Sequence, residues 1–568
     1  MSAEPRLKVV LCWHMHQPVY RDLITQEYQL PWTYLHAIKD YADMAALLEA
    51  TPAARVVVNF APILLEQISD YAHQIKGFIT SHTPLHDPLL AALGAAKLPE
   101  DDAARVALIK ACLRVNRERL IDPFPQYRRL VEIATHLGED SEALRYLGEQ
   151  YFADLLMWYH LAWLGETVRR NNTAVRALIE KGYLFTLSDR HTLLSIIAEL
   201  LGGLIGRYRK LAECGQVELS LTPYAHPIMP LMLDFNSARE AMPDVSLPQS
   251  PQYPGAEERV RWHIQQGIEV FRRHFGFTPQ GCWPSEGGVS DATLRLLDEY
   301  GFRWAASGET VLYNSLARHN KAEPTNKEWL YQPYTVDASN VATFFRDDGL
   351  SDLIGFTYAK WHADDAVSNL ISHLDSIAST HDTSNSVVSI ILDGENAWEY
   401  YPYNGYYFLS ALYERLSMHP RLHMTTFSDC LDSLPPAEKL ETLVAGSWVY
   451  GTFSTWIGDD DKNLAWDRLC DAKRAFDTAL ASGRLTDERR AALEKQLAVC
   501  EGSDWFWWFG GYNPADTVSD FELLFRRHLA NLYRLLGESI PEELSLVLSR
   551  GSGAPAQGGV MRPGQEAQ

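Results

Sequence analysis

The chain has 568 residues, 46% of them hydrophobic and 22% charged, which is too long for one ordinary core and reads as a globular protein of two or three domains. Its formal net charge of -22 excludes phosphate backbones and anionic lipid as natural partners. A neutral substrate fits that balance, so neither nucleic acid nor membrane is an expected partner.

The opening segment, "MSAEPRLKVVLCWHMHQPVY", holds an apolar run too short for a signal peptide, and His14 and His16 interrupt it at once. No later stretch reaches the roughly 18 apolar residues needed to cross a bilayer. Short β-branched runs predict strands at Lys8–Trp13, Arg55–Phe60, Tyr183–Ser188, Gln216–Tyr224, Gly301–Ser307, Val341–Arg346 and Ser386–Asp393. Helix-period segments such as "DDAARVALIKACLRVNRERLI" and "AEERVRWHIQQGIEVFRRHFG" lie between them. Strands alternating with helices imply βαβ units and a parallel sheet, and seven strands come close to closing a barrel. Beyond residue 405 the strand signal fades, and four helical segments predict a C-terminal domain over 406–545. The last residues, 546–568, are polar and rich in Gly and Pro, and predict a disordered tail. Seven dispersed cysteines without CxxC spacing read as reduced thiols in a cytoplasmic protein.

Aromatic residues are in excess, with 16 Trp and 27 Tyr clustered in "DLLMWYHLAWLGE", "NAWEYYPYNGYYF" and "SDWFWWFGGY". Most belong in cores, but flat aromatic faces beside loops also bind sugar rings. Each polar motif falls at or just after the C-terminal end of a predicted strand, where barrels build their sites. His14 and His16, two apart, share one face of an extended backbone and suit either a metal or hydrogen bonds to a ligand. "GCWPSEGGVS" sets Glu286 behind Trp283, with a glycine pair after it, and "SIILDGENAW" drives a strand into Asp393. A carboxyl at the end of a buried strand has its pKa raised, which suits Asp393 to be a general acid, while loop N–H groups would keep Glu286 ionised. Such a pair meets the requirement of glycoside hydrolysis. The competing reading makes both acids helix caps. Gln216, Glu218 and His226, and the cluster Arg346, Asp347, Asp348 and Asp352, add hydrogen-bonding groups or internal ion pairs.

Together, and in this order, "HMHQP", "GQVELSLTPYAHPI", "CWPSEGGVS", "LDGENAWEYY" and "GSDWFWWFGG" resemble the five signature regions of glycoside hydrolase family 57, over about residues 8–512. "DLLMWYHLAWLGE" and "SDWFWWFGG" look most like its α-amylase and amylopullulanase branch. The resemblance implies an α/β fold, an incomplete (β/α)7 barrel over 1–405 followed by an α-helical domain that completes the site. It also implies a retaining mechanism on α-1,4 and, as a second class, α-1,6 bonds of α-glucans, with no cofactor or metal. Carried over by motif, Glu286 is the nucleophile and Asp393 the acid/base. His14, His16, Gln17, Glu218, His226, Trp283, Asp352 and Trp398 are expected substrate contacts, with Trp283 a floor under a sugar ring. Asp504 and Trp507 are expected to reach in from the helical domain. "AASGETVL" departs from the pattern, because an acidic pair is expected around Gly308 and Glu309. Three rivals remain: a 4-α-glucanotransferase using the same residues, a metal-dependent deacetylase or mannosidase using His14 and His16, and a non-catalytic glucan-binding protein.

Overall fold

The structure, a computed structural model, describes residues 5–137, 141–319, 327–483 and 485–553. Seven parallel strands form its centre: β1 (Leu7–Met15), β2 (Val56–Phe60), β3 (Val217–Leu221), β4 (Gly281–Cys282), β5 (Trp304–Gly308), β6 (Ser339–Arg346) and β7 (Val387–Asp393). They neighbour one another in that order, β7 returns to β1, and a single pairing of Arg346 with Ser389 closes the ring between β6 and β7. β1 and β2 are almost wholly buried, as expected for strands enclosed on both faces.

The count of seven agrees with the sequence, but one member differs. Tyr183–Ser188 is not a strand. Thr186 and Asp189 form a capping box that starts a helix at Leu187, and this local chemistry overrides the short apolar run. The missing strand is β4, only two residues long before Pro284 ends it, too short to show any periodicity.

Between β2 and β3 lies a helical insertion that includes α1 (Pro62–Ser81), α2 (Glu149–Trp163) and α3 (Leu187–Glu213). α2, buried at every position from Tyr151 to Trp163, carries the first aromatic cluster, so Trp158 and Trp163 are core residues. α4 (Ala256–Phe275) leads from β3 to β4. The sheet also continues past residue 405: Leu422–Met424 pairs with β1, and Glu438–Leu440 pairs with the short strand Tyr334–Val336. The purely helical part therefore begins later than expected, with α5 (Asp460–Ala481), α6 (Asp487–Cys500), α7 (Asp504–Trp508) and α8 (Ala515–Leu536).

This part is fastened to the barrel by buried polar groups. Glu501 accepts hydrogen bonds from Arg259 at 2.7 Å, His263 at 2.8 Å and Tyr253 at 2.5 Å, all in or beside α4. Residues 546–553, expected in the tail, pack on the helical part: Leu548 N–H donates to Glu522 at 2.7 Å and Ser549 Oγ accepts from Gly510 N–H. Residues 554–568 lie outside the described residues. Among the described residues no helix is long and apolar enough to cross a membrane.

Candidate active site

Strand register brings the polar residues together. Ser220 on β3 lies opposite Asn59 on β2, Asn59 opposite His14 on β1, and His14 opposite Asp393 on β7. The row sits at the C-terminal mouth of the ring, in the wall of a cavity of about 430 Å³. His14, His16, Gln17, His226, Glu286, Asp352, Asp393, Asp504 and Trp507, all singled out from sequence, line that cavity.

Three of the expected contacts do not reach it. Glu218 is the second residue of β3 and lies at the opposite end of the barrel, where it accepts from Trp304 Nε1 at 2.7 Å and from the Ser428 N–H and hydroxyl at 3.0 and 2.6 Å. Trp283 is fully buried, packed edge-on against Trp448 with ring centroids 5.4 Å apart, and cannot be a floor for a sugar. Trp398, equally buried, donates from Nε1 to the Gly394 carbonyl at 3.0 Å and so braces the loop that carries Asp393.

Buried Trp283 explains the glycine pair. A Cβ on Gly287, at φ +59°, would fall 2.9 Å from the Trp283 ring. Glu286 itself is held at φ 58°, ψ 25°, in the left-handed region that costs a non-glycine residue about 1–3 kcal/mol. The turn thus aims the carboxyl across the cavity mouth. One of its oxygens, Oε2, accepts from Trp448 Nε1 at 3.0 Å, and Oε1 lies 3.4 Å from Ser503 Oγ. Burial first, then the charges of Asp393 and Asp504, push its pKa up to about 8. Among the described residues no backbone N–H bonds it, contrary to the sequence expectation of an ionised Glu286 at neutral pH. Asp393 is also raised by burial, but Asn396, which donates at 3.0 Å, together with His16 and Arg346, acts against the shift.

Three imidazoles stand beside the pair. The rings of His16 and His226 lie face to face, 3.9 Å apart and 10° from parallel. His16 Nε2 donates to Asp504 Oδ1 at 2.9 Å, joining β1 to α7. Burial, then neighbouring imidazoles, lowers His14 to about 3 and His226 well below its ordinary value, so both are neutral. His16, His226 and Asp504 bring ligand atoms within 4.8 Å of one another. However, stacked rings direct their in-plane lone pairs side by side rather than toward a common point, so this set suits a metal poorly.

The site also contains the Arg346 cluster and, around it, groups that the sequence did not reveal. Arg346, on β6, is buried and pairs with Asp348 at 2.7 Å and Asp352 at 2.6 Å, so the suspected ion-pair cluster exists and faces the cavity. Its guanidinium lies 5.1 Å from the Trp448 ring. Trp448 belongs to an arm, residues 445–453, that roofs the cavity with Val449 and Tyr450. That arm explains "AASGETVL": a Cβ at Gly308 would meet the Trp448 backbone at 2.6 Å. Glu309 is engaged by Lys327 at 2.7 Å and the Asp348 N–H at 3.1 Å. Glu395, two residues after Asp393, is a further buried acid in the wall, held well above its ordinary value by burial and then by Asp393. Its nearness to a catalytic candidate in "DGEN" was the available clue.

A desolvated pair of carboxyls beneath an aromatic roof, at the mouth of a parallel barrel, is the equipment of a carbohydrate-active enzyme. The model described as Glycosyl hydrolase family 57 matches residues 10–442, and the chain belongs to that family. A 165-residue segment is 25% identical to the 1,4-alpha-glucan branching enzyme TK1436 of Thermococcus kodakarensis, a match covering 26% of this chain and 21% of that relative. The GH57-type branching enzyme from Pyrococcus horikoshii superimposes with a TM-score of 0.58 at 17% identity, covering 95% of this chain and 93% of its own. The alpha-amylase AmyC from Thermotoga maritima does so with a TM-score of 0.54 at 14% identity, covering 95% of each. At these identities the likeness concerns the fold.

Proposed function

We propose that the protein is a retaining glycosidase of α-glucans, of the α-amylase and amylopullulanase type, cleaving α-1,4 bonds and, as a second class, α-1,6 bonds. One observation carries the reading: Glu286 and Asp393 face a single cavity, and each acid is perturbed by burial there. Glu286 attacks the anomeric carbon and forms a glycosyl ester as the bond to the departing oxygen breaks, while Asp393 gives that oxygen its proton. Asp393, now a carboxylate, takes a proton from the incoming hydroxyl as the ester is displaced. Burial raises both acids and pushes Glu286 up to about 8, so Glu286 holds a proton in the empty cavity at neutral pH, and the mechanism requires that proton on Asp393 once substrate is bound. Asp352, His16 and Asp504 offer polar atoms to sugar hydroxyls, and Trp507, half-buried at the mouth, offers a ring face.

A second reading, a 4-α-glucanotransferase or another transferase of the same chemistry, draws support from the rim. Trp448, Tyr450, Trp507 and Phe356 surround the opening and could seat an acceptor sugar in place of water. Incubation with starch, pullulan and maltotriose, followed by product separation, tests both. Shorter oligosaccharides and free reducing ends support hydrolysis, chains longer than maltotriose support transfer, and the absence of any product overturns the catalytic reading.

A further inference from the structure

Behind Glu286 runs an unbroken line of polar atoms. Ser503 Oγ lies 3.4 Å from Glu286 Oε1 and 2.8 Å from His226 Nδ1. His226 Nε2 lies 3.1 Å from His14 Nε2, and His14 Nδ1 lies 2.7 Å from Asn59 Oδ1. Each imidazole is neutral, so each carries one N–H, and Ser503 has one hydroxyl proton. Fixing the direction of any one bond therefore fixes all the others.

We propose that Ser503 positions the Glu286 carboxyl, and that the chain behind it has two settings, one matched to the acid form of Glu286 and one to its carboxylate. This rests on the reading of Glu286 as nucleophile. In the first setting His14 Nδ1–H donates to Asn59 and His226 Nε2–H donates to His14. Ser503 O–H then donates to His226 Nδ1, so Ser503 Oγ presents only lone pairs to Glu286. A protonated Glu286, with Oε2 already accepting from Trp448, fills that place by donating from Oε1.

The second setting reverses every arrow: it holds one proton fewer, the one that Glu286 gives up to Asp393, and each imidazole carries its single N–H on the other ring nitrogen. With the Asn59 amide turned over, its N–H donates to His14 Nδ1, His14 donates from Nε2, His226 donates from Nδ1, and Ser503 O–H turns to the ionised Glu286. The surroundings of Asn59 permit this, since its other contacts are hydroxyls, Ser220 at 3.0 Å and Thr222 at 2.8 Å, and a hydroxyl both donates and accepts. Thr222 keeps a second acceptor, the Trp283 carbonyl at 2.8 Å. The chain thus serves either form of Glu286, but its charge-assisted bond to the carboxylate is the stronger, so its net effect is to favour the ionised nucleophile against the burial that raises it. The other groups facing Glu286 are Asp393 from β7, Asp504 beside Ser503, the Trp448 indole with Arg346 on its far side, and His226 itself, with Nδ1 at 3.9 Å.

The test uses the full chain with Ser503→Ala and Ser503→Thr, measuring kcat and KM against pH on maltooligosaccharides. Loss of a donor to a carboxylate raises its pKa, and the nucleophile must be ionised. Ser503→Ala should therefore lower kcat about tenfold at neutral pH with little change in KM, and move the acidic limb upward by roughly one pH unit. Ser503→Thr, which keeps the hydroxyl, should restore both. Infrared titration of the carboxyl band that Glu286→Gln removes gives a readout independent of turnover, and its midpoint should rise in Ser503→Ala. An unmoved limb and midpoint in that variant overturn the proposal. If Glu286→Gln itself stays active, the fault lies instead in the assignment of the nucleophile.

Discussion

Two glutamates of the barrel, one at its base and one at its mouth, are treated in opposite ways. At the base, Glu218 takes three hydrogen bonds from an indole, a backbone N–H and a hydroxyl. At the mouth, Glu286 has one firm donor, Trp448, and a serine at 3.4 Å, on a backbone in the left-handed region. Donor supply separates the two roles. A carboxylate surrounded by donors is spent on structure, whereas one left short of them stays available for bonding to something else.

Five substitutions would break or sharpen this contrast. The largest effect belongs to the mouth: Glu286→Gln and Asp393→Asn should each lower turnover of maltooligosaccharides by about 10³-fold or more, with folding unchanged. A substrate with a good leaving group should rescue Asp393→Asn and leave Glu286→Gln inactive. Equal behaviour of the two would dissolve the assigned roles.

Next comes Glu501, a buried acid whose donors are charged. Glu501→Ala should cost about 3–5 kcal/mol in denaturant unfolding, because it leaves Arg259 buried without its partner. Burial alone would raise this carboxyl, yet Arg259 and the His263 hydrogen bond outweigh it and bring it down to about 2 from an ordinary 4.5. For an acid with a depressed folded-state pKa, the stabilisation is present above the unfolded value and lost as pH falls through the folded one. Wild-type stability should therefore drop between pH 4.5 and 2 more than that of the variant.

At the base, Glu218→Gln should cost about 1.5–3 kcal/mol in stability and leave kcat per folded molecule intact. A changed pH profile there would return Glu218 to the site. The smallest effect is expected for Trp448→Phe, which keeps a ring over the cavity but removes the N–H from Glu286. It should slow turnover about tenfold and raise the acidic limb.

Much of this was legible in the sequence, for identifiable reasons. Long apolar runs such as "LKVVLCW" announce buried parallel strands, and motifs at strand ends collect at one mouth because all the strands run the same way. β4 was illegible because two residues carry no period, and Tyr183–Ser188 misled because a capping box outweighs a short apolar run. Glu218 was misplaced for a related reason. It begins its strand, and only position along β3 distinguishes base from mouth. Trp448 lacks any local signature, and Ser503 sits within "GSDWFWWFGG" unmarked beside Asp504, since their roles exist only once distant segments meet at Glu286. Trp283 was misread because a tryptophan beside an acid looks the same in one dimension whether it faces a ligand or supports a turn.

The bond between His16 and Asp504 joins residues 488 positions apart. At ordinary ribosomal speeds the first strand waits roughly half a minute to a minute and a half for that partner to be synthesised. Throughout that interval the nascent barrel lacks Ser503, Asp504 and Trp507, and so presents an open bowl rather than a closed catalytic chamber. The cavity is thus incomplete until residues 503–507 have been made, a form of timing that needs no inhibitor.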